Sequence, residues 1–150
     1  MTLIKNSEIV QDSWSVLKEG QALQANHNII DLDYWNANKG ALITNNAPLG
    51  LLIQGDKSCD QFTNDLQHFE LIAIHFPTFV DGRGYSLAKT LREKYSYTQE
   101  IRAVGDVLPD QALYLTRVGF DALEFSTKEA GLLALEKLNE FSVFYQTAIN

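Results

Sequence analysis

A single cysteine, Cys59, stands in the whole chain. That excludes an intramolecular disulfide. It also excludes an iron–sulfur cluster held within one chain, which takes about four thiolates, and a Cys-rich zinc site. The three histidines, His27, His68 and His75, show neither H-x-x-x-H nor H-E-x-x-H spacing, so no metal site is expected. Basic charge is scarce: 12 Lys and Arg face 19 Asp and Glu, a net −7. Binding to nucleic acid or anionic membrane runs on positive charge and is not expected here. No apolar run approaches the roughly 18 residues of a membrane helix. The opening MTLIKNSEIVQDSW lacks the basic and apolar regions of a signal peptide. The chain reads as soluble and cytoplasmic. The G-x-G-x-x-G, G-x-x-x-x-G-K-[ST] and G-x-S-x-G motifs are all missing.

What is present fits one α/β domain over 1–150. A chain of this length buries about 68–70% of its unfolded surface and needs no staple. The N-terminal third has mixed spacing. It offers a short apolar run at Ile29, Ile30 and Leu32, then a loop over Asn36–Gly40 rich in turn formers. Residues 41–44 read as a short strand or a helix end. From Leu49 the pattern is regular. Apolar runs at 49–53, 71–76, 101–104 and 122–125 predict buried strands. Helical spacing is seen at 59–69, at 86–95 with Ser86 as cap, at 109–118 with Pro109 in its first turn and Gly119 after it, and at 128–148. In the last, Leu132, Leu135, Leu138 and Phe141 share a side. Strands alternating with helices predict βαβ units and a mostly parallel sheet. An open three-layer sandwich is the first expectation. A half TIM-barrel arrangement is the alternative; it would leave open edges and so predicts a homodimer.

Residues 81–121 carry all four arginines, Arg83, Arg92, Arg102 and Arg117. Their planar fork of donors suits carboxylate, phosphate or sulfur oxyanions. Asp81-Gly82-Arg83-Gly84-Tyr85 follows one strand and Gly105-Asp106 another, and ligands in open α/β sheets bind beyond the carboxyl ends of the strands. The candidate anion-binding residues are Arg83, with Gly82 and Gly84 beside it just ahead of a helix N-terminus, Arg102 and Arg117. The candidate catalytic residues are Asp106, Tyr85 and Asp110. Each has a bland reading. The glycine run makes a tight turn, Arg92 is solvated, and Arg102 pairs with Glu100 or Asp121. Arg117 pairs with Asp121 or sits at a helix end, Asp106 caps the 109–118 helix, and Tyr85 packs. His75, ending an apolar strand, reads as a satisfied buried histidine.

The run Phe76-Pro-Thr-Phe-Val-Asp-Gly-Arg-Gly-Tyr-Ser86, then Glu100-Ile-Arg-Ala-Val-Gly-Asp-Val107, Asp110-Gln111 and Gly119-Phe-Asp121, carries a resemblance. It is similar to a bacterial family of uncharacterised proteins, a domain of unknown function described as an oxidoreductase involved in sulfite reduction. The family's genes sit near that of siroheme sulfite reductase. The matching motifs span about residues 70–125, and Asp81, Gly105, Gln111 and Asp121 are among the matching positions. Val118 stands where the family often has cysteine. The resemblance implies an accessory protein of assimilatory sulfite reduction that assists siroheme sulfite reductase by docking or by handling a small oxyanion. Two-electron chemistry needs a cofactor, and none is evident; a flavin held by the loops after the strands has no motif behind it. Two other readings stay open. One is a small enzyme acting on a phosphorylated or carboxylated metabolite, with Arg83 as clamp and Asp106 as acid or base. The other is a non-catalytic interaction module.

Overall fold

The computed structural model describes residues 1–25, 27–78 and 82–149, with 141–149 described for their backbone alone. The strands are β1 (Thr2–Lys5), β2 (Glu8–Val10), β3 (Ser15–Val16), β4 (Asn28–Asp31), β5 (Leu49–Gln54), β6 (Leu71–Phe76), β7 (Glu100–Gly105) and β8 (Ala122–Phe125). The helices are α1 (Leu32–Thr44), α2 (Arg83–Glu93), α3 (Ala112–Val118) and α4 (Lys128–Ile149). Short 3-10 turns occupy Cys59–Gln61, Thr63–His68 and Pro109–Gln111.

All eight strands join one sheet in the order β2-β1-β8-β7-β6-β5-β4-β3. From β3 to β8 the pairs are parallel. β1 adds antiparallel to β8, and β2 antiparallel to β1. The fold is therefore mixed α/β and mostly parallel. From β4 to β8 each crossover steps one strand further in the same direction. A sheet wound that way receives its helices on one face; a three-layer sandwich needs a reversal of winding. The arrangement is the half-barrel, in place of the open sandwich that was the first expectation.

The alternation of side chains along each strand sorts the two faces. Ile72, Ile74, Phe76, Ile101, Ala103, Leu123 and Phe125 join Trp35 and Leu42 of α1, Leu87 and Leu91 of α2, Leu115 of α3 and Leu138 of α4 in the main core. The other face is the inner one. It carries a small cluster of Ile29, Leu71 and Ala73, with Trp14, Leu52 and Val104 against it. The curl follows from chain length. The connector Gln11–Trp14 joins β2, at one edge of the sheet, to β3, at the other. Seven flat gaps would separate the edges by roughly 34 Å, whereas the five steps from Val10 to Ser15 reach at most about 18 Å. Only a curled sheet lets so short a connector cross its mouth. Residues 1–48 thus both complete the sheet and cover it.

Several local expectations change. Asn36–Gly40 is part of α1, not a loop. Asp31 caps that helix by accepting from the Tyr34 N–H at 2.7 Å. The turn-forming residues cost only a kink at Asn38, with φ −127 and ψ 16. Trp35 anchors the helix: it is fully buried, and its indole N–H donates to Asp65 at 2.9 Å. Residues 59–69 form 3-10 turns closed by bonds such as Phe62 N–H to Cys59 C=O at 3.0 Å and Phe69 N–H to Leu66 C=O at 3.2 Å. Buried Phe62, at φ −144, interrupts what helical spacing alone made continuous. α2 begins at Arg83 after Gly82, so Ser86 lies inside it and is no cap. In α4, Leu132 is exposed rather than packed, while Phe141 falls among residues described by backbone only.

Candidate functional site

The residues singled out in the sequence spread over three places. At the carboxyl ends of the strands, Arg83 opens α2 and is exposed. Gly82 precedes it at φ −75, without the left-handed backbone a tight glycine turn would use. Gly84 is buried against the Phe76 ring, where a Cβ would collide with it. Tyr85 is half-buried between Phe76 and Tyr114, both 5.1 Å from its ring centroid, and burial pushes its phenol up. Gly105 takes φ +90, and a Cβ there would come within 2.5 Å of the Phe76 carbonyl and 2.9 Å of the His75 ring. The Asp106 N–H donates to Phe76 C=O at 2.9 Å, and its side chain is exposed. The position ahead of the Pro109–Gln111 turn belongs to Leu108, whose N–H donates to Gln111 Oε1 at 3.3 Å. Asp110 is exposed and pairs with Lys137 at 3.0 Å. Asp81 lies outside the described residues.

The second place is the opposite end of the sheet. Arg92, expected to be solvated, is a clamp. Its Nε donates to Gly119 C=O at 3.0 Å and its Nη1 to the carbonyls of Tyr97 and Gln99 at 2.6 and 2.7 Å. Its Nη2 meets Asp121 at 2.6 Å. Asp121 also accepts from the Ile101 N–H at 3.1 Å. The partner of Asp121 is thus Arg92, whereas Arg117 or Arg102 was expected. Arg117 is exposed in the last turn of α3.

The third place is the inner face. Arg102 of β7 points there from the middle of the sheet and is only 2% exposed. Its neighbours across the sheet are Ala73 of β6 and Ala122 of β8, and these small side chains leave a slot for the guanidinium. Nε is bonded to Glu100 at 3.0 Å and Nη1 to Asp12 at 3.1 Å. Glu100 is held from its other side by Lys5 at 2.7 Å. The pairing of Arg102 with Glu100 is as expected for residues two apart on a strand, which share a face. Nη2 has no hydrogen-bond acceptor among the described residues.

This guanidinium lines a cleft of about 500 Å³, together with Asp12, Leu52, His75, Val104 and Glu124. Burial pushes the Glu124 carboxyl up, with Arg102 opposing and Asp12 adding to the rise. The His75 ring was expected to be satisfied, yet its buried Nδ1 has no partner among the described residues. A buried polar atom left in this state carries a desolvation cost of about 1–3 kcal/mol. Among the described residues no group of three or more His, Cys, Asp and Glu is placed to hold a metal. No described helix is long and apolar enough to cross a membrane.

The sequence reading missed Glu124, His75 and Asp12 as cleft residues. For two of them a signal existed. His75, Arg102 and Glu124 each interrupt an otherwise apolar strand, on three strands that are neighbours in the sheet. Asp12 gave none, since nothing local brings it to Arg102 across 90 positions.

No curated protein matches the chain. A family model described as a bacterial protein of unknown function (DUF934) matches residues 50–150. That match takes in Arg102, His75 and Glu124 and leaves Asp12 outside it. Covering some two thirds of the sequence, it places the chain in that family.

Proposed function

We propose that the inner cleft binds a small organic anion, and that the protein acts on it by proton transfer. The observation that carries this reading is Arg102. A guanidinium withdrawn from solvent, with one of its nitrogens unclaimed, lines a cleft with apolar walls. Such a charge recognises carboxylate or phosphate strongly, because little water competes. Leu52, Val104 and Ile29 of the same cleft suit the hydrocarbon part of a metabolite. Glu124, raised by burial, is tuned in the direction that lets a carboxyl serve as acid as well as base near neutral pH. This is the small-enzyme reading, with Arg102 in the place first given to Arg83, and Glu124 in that of Asp106.

The accessory role in sulfite reduction remains a second reading, and the same arginine favours it. Sulfite would take the guanidinium, while the net −7 suits docking to a basic patch on siroheme sulfite reductase. One experiment addresses both. The ¹⁵N-labelled protein is titrated with hexanoate, inorganic phosphate and sulfite while the arginine side-chain N–H signals are followed. A saturable shift of the Arg102 signal is expected, with a Kd of about 1 mM or tighter. A response to sulfite alone, with capture of sulfite reductase on the immobilised chain, would favour the accessory role. An Arg102 signal unmoved by all three anions would rule out the cleft as an anion site.

A further inference from the structure

The proposed reading seats a ligand's anionic group on Arg102, and a carboxylate of the chain itself already sits there. Arg102 holds two carboxylates of different standing. Glu100 belongs to β7, is 10% exposed, and is fixed by Lys5 as well as by Arg102. Asp12 belongs to the Gln11–Trp14 connector, outside the strand pairing, and its side chain is 38% exposed. Its Oδ2 takes Arg102 Nη1, and its Oδ1 accepts the N–H of Trp14 two residues on, at 3.0 Å. The Trp14 ring lies against the inner face near Ile29 and Leu71, 3.3 Å from where a Cβ on Gly50 would stand. Val16, just beyond, lines the cleft with Asp12. The connector therefore sets one carboxylate and one apolar group onto the inner face, side by side.

We propose that Asp12 is a built-in occupant of the ligand seat, and that a monocarboxylate with a hydrocarbon body displaces Asp12 from Arg102 and shifts the connector, Trp14 with it. This rests on the cleft reading above and names its ligand class. Two physical points select a monocarboxylate over phosphate or sulfite. Lys5 and Arg102 balance Asp12 and Glu100 charge for charge. Exchanging one single negative charge for another keeps that balance, whereas a doubly charged oxyanion adds repulsion beside Glu100. The walls Ile29, Leu52 and Val104 also gain from covering a hydrocarbon chain and gain nothing from an oxyanion.

The test uses Asp12→Asn, which keeps Oδ1 for the Trp14 N–H and removes the charge that competes for Arg102. Hexanoate affinity is measured for both proteins by calorimetry, with phosphate and sulfite in parallel. Removing the resident charge should tighten hexanoate binding by about two- to fivefold, the range of a partly exposed ion pair. In the unaltered chain, Trp14 emission should shift to the red on saturation. Trp35 is fully buried away from the connector, so the change reports Trp14. Hexanoate binding the unaltered chain with no Trp14 shift, or no more tightly after Asp12→Asn, overturns the displacement and leaves the cleft reading standing. Preference for phosphate or sulfite overturns the ligand class. Failure of every anion to bind either protein overturns both readings. Should Asp12→Asn not fold, the Trp14 shift in the unaltered chain decides alone.

Discussion

Glu124 stands between Leu123 and Phe125, which bury on the helix face, and so turns its own carboxyl to the inner one. Raised by burial, that carboxyl holds its proton more tightly folded than unfolded. Stability from this group is therefore greatest below the ordinary value of 4.5 and declines as the pH rises from there through the folded value. Glu124→Gln removes the dependence. Its urea midpoint at pH 7 is expected at or above that of the unaltered chain, and the two curves should converge near pH 4. A midpoint below the unaltered one at pH 7 would count against burial as the cause. At this scale, legibility followed sequence distance. The Arg102–Glu100 pair could be read because strand residues two apart share a face. The Arg102–Asp12 and Arg92–Asp121 pairs, 90 and 29 positions apart, could not, because they depend on how the chain returns on itself.

Between elements, Arg92 has the largest reach. It ties the last turn of α2 to the residues before β7 and before β8, with Asp121 passing the tie on to Ile101. Arg92→Ala leaves Asp121 and several carbonyls without their charged donor. Hydrogen bonds to charged groups are worth roughly 1.5–3 kcal/mol, and a loss of about 2–4 kcal/mol is expected here, lowering Tm by roughly 5–15 °C. Calorimetric melting checks it; a fall under a few degrees would show that water replaces the clamp. The strands β5 to β8 were legible because they are mostly apolar runs bounded by turn formers, broken on the inner face only by a few residues such as His75, Arg102 and Glu124. β2 and β3 left no such trace. They are three and two residues long, lie at the sheet edges and are largely exposed, so no burial pattern marks them. α1 was obscured because Asn and Gly interrupt its sequence, while only Trp35 and Leu42 are buried, with Leu32 and Tyr34 packed beside them.

At the scale of the molecule, strand order decides more than strand identity. The strand–helix rhythm fits a sandwich and a half-barrel equally; it is the stepwise order from β4 to β8 that puts the helices on one side and opens the other as a cleft. Open edges were the reason to expect a homodimer. The edges here are blunted: β2 offers three residues, including Glu8, and β3 two. Short, charged edges resist pairing with another copy. Sedimentation equilibrium at micromolar protein is expected to give the monomer mass; a stable dimer would show that another surface joins the copies. The pairing of β1 with β8 has one more consequence. Thr2 lies opposite Phe125, so β1 has no lasting neighbour across the sheet until β8 has been made, more than 120 residues later. At about 5–20 residues per second the wait is roughly 6–25 s, and a lone two-stranded hairpin is marginal in water. The parallel strands are therefore expected to assemble first, with the β1–β2 hairpin closing last and the Gln11–Trp14 connector set across the sheet only by that final step; pulse-labelled hydrogen exchange, with β1 amides protected after those of β5 to β8, checks it.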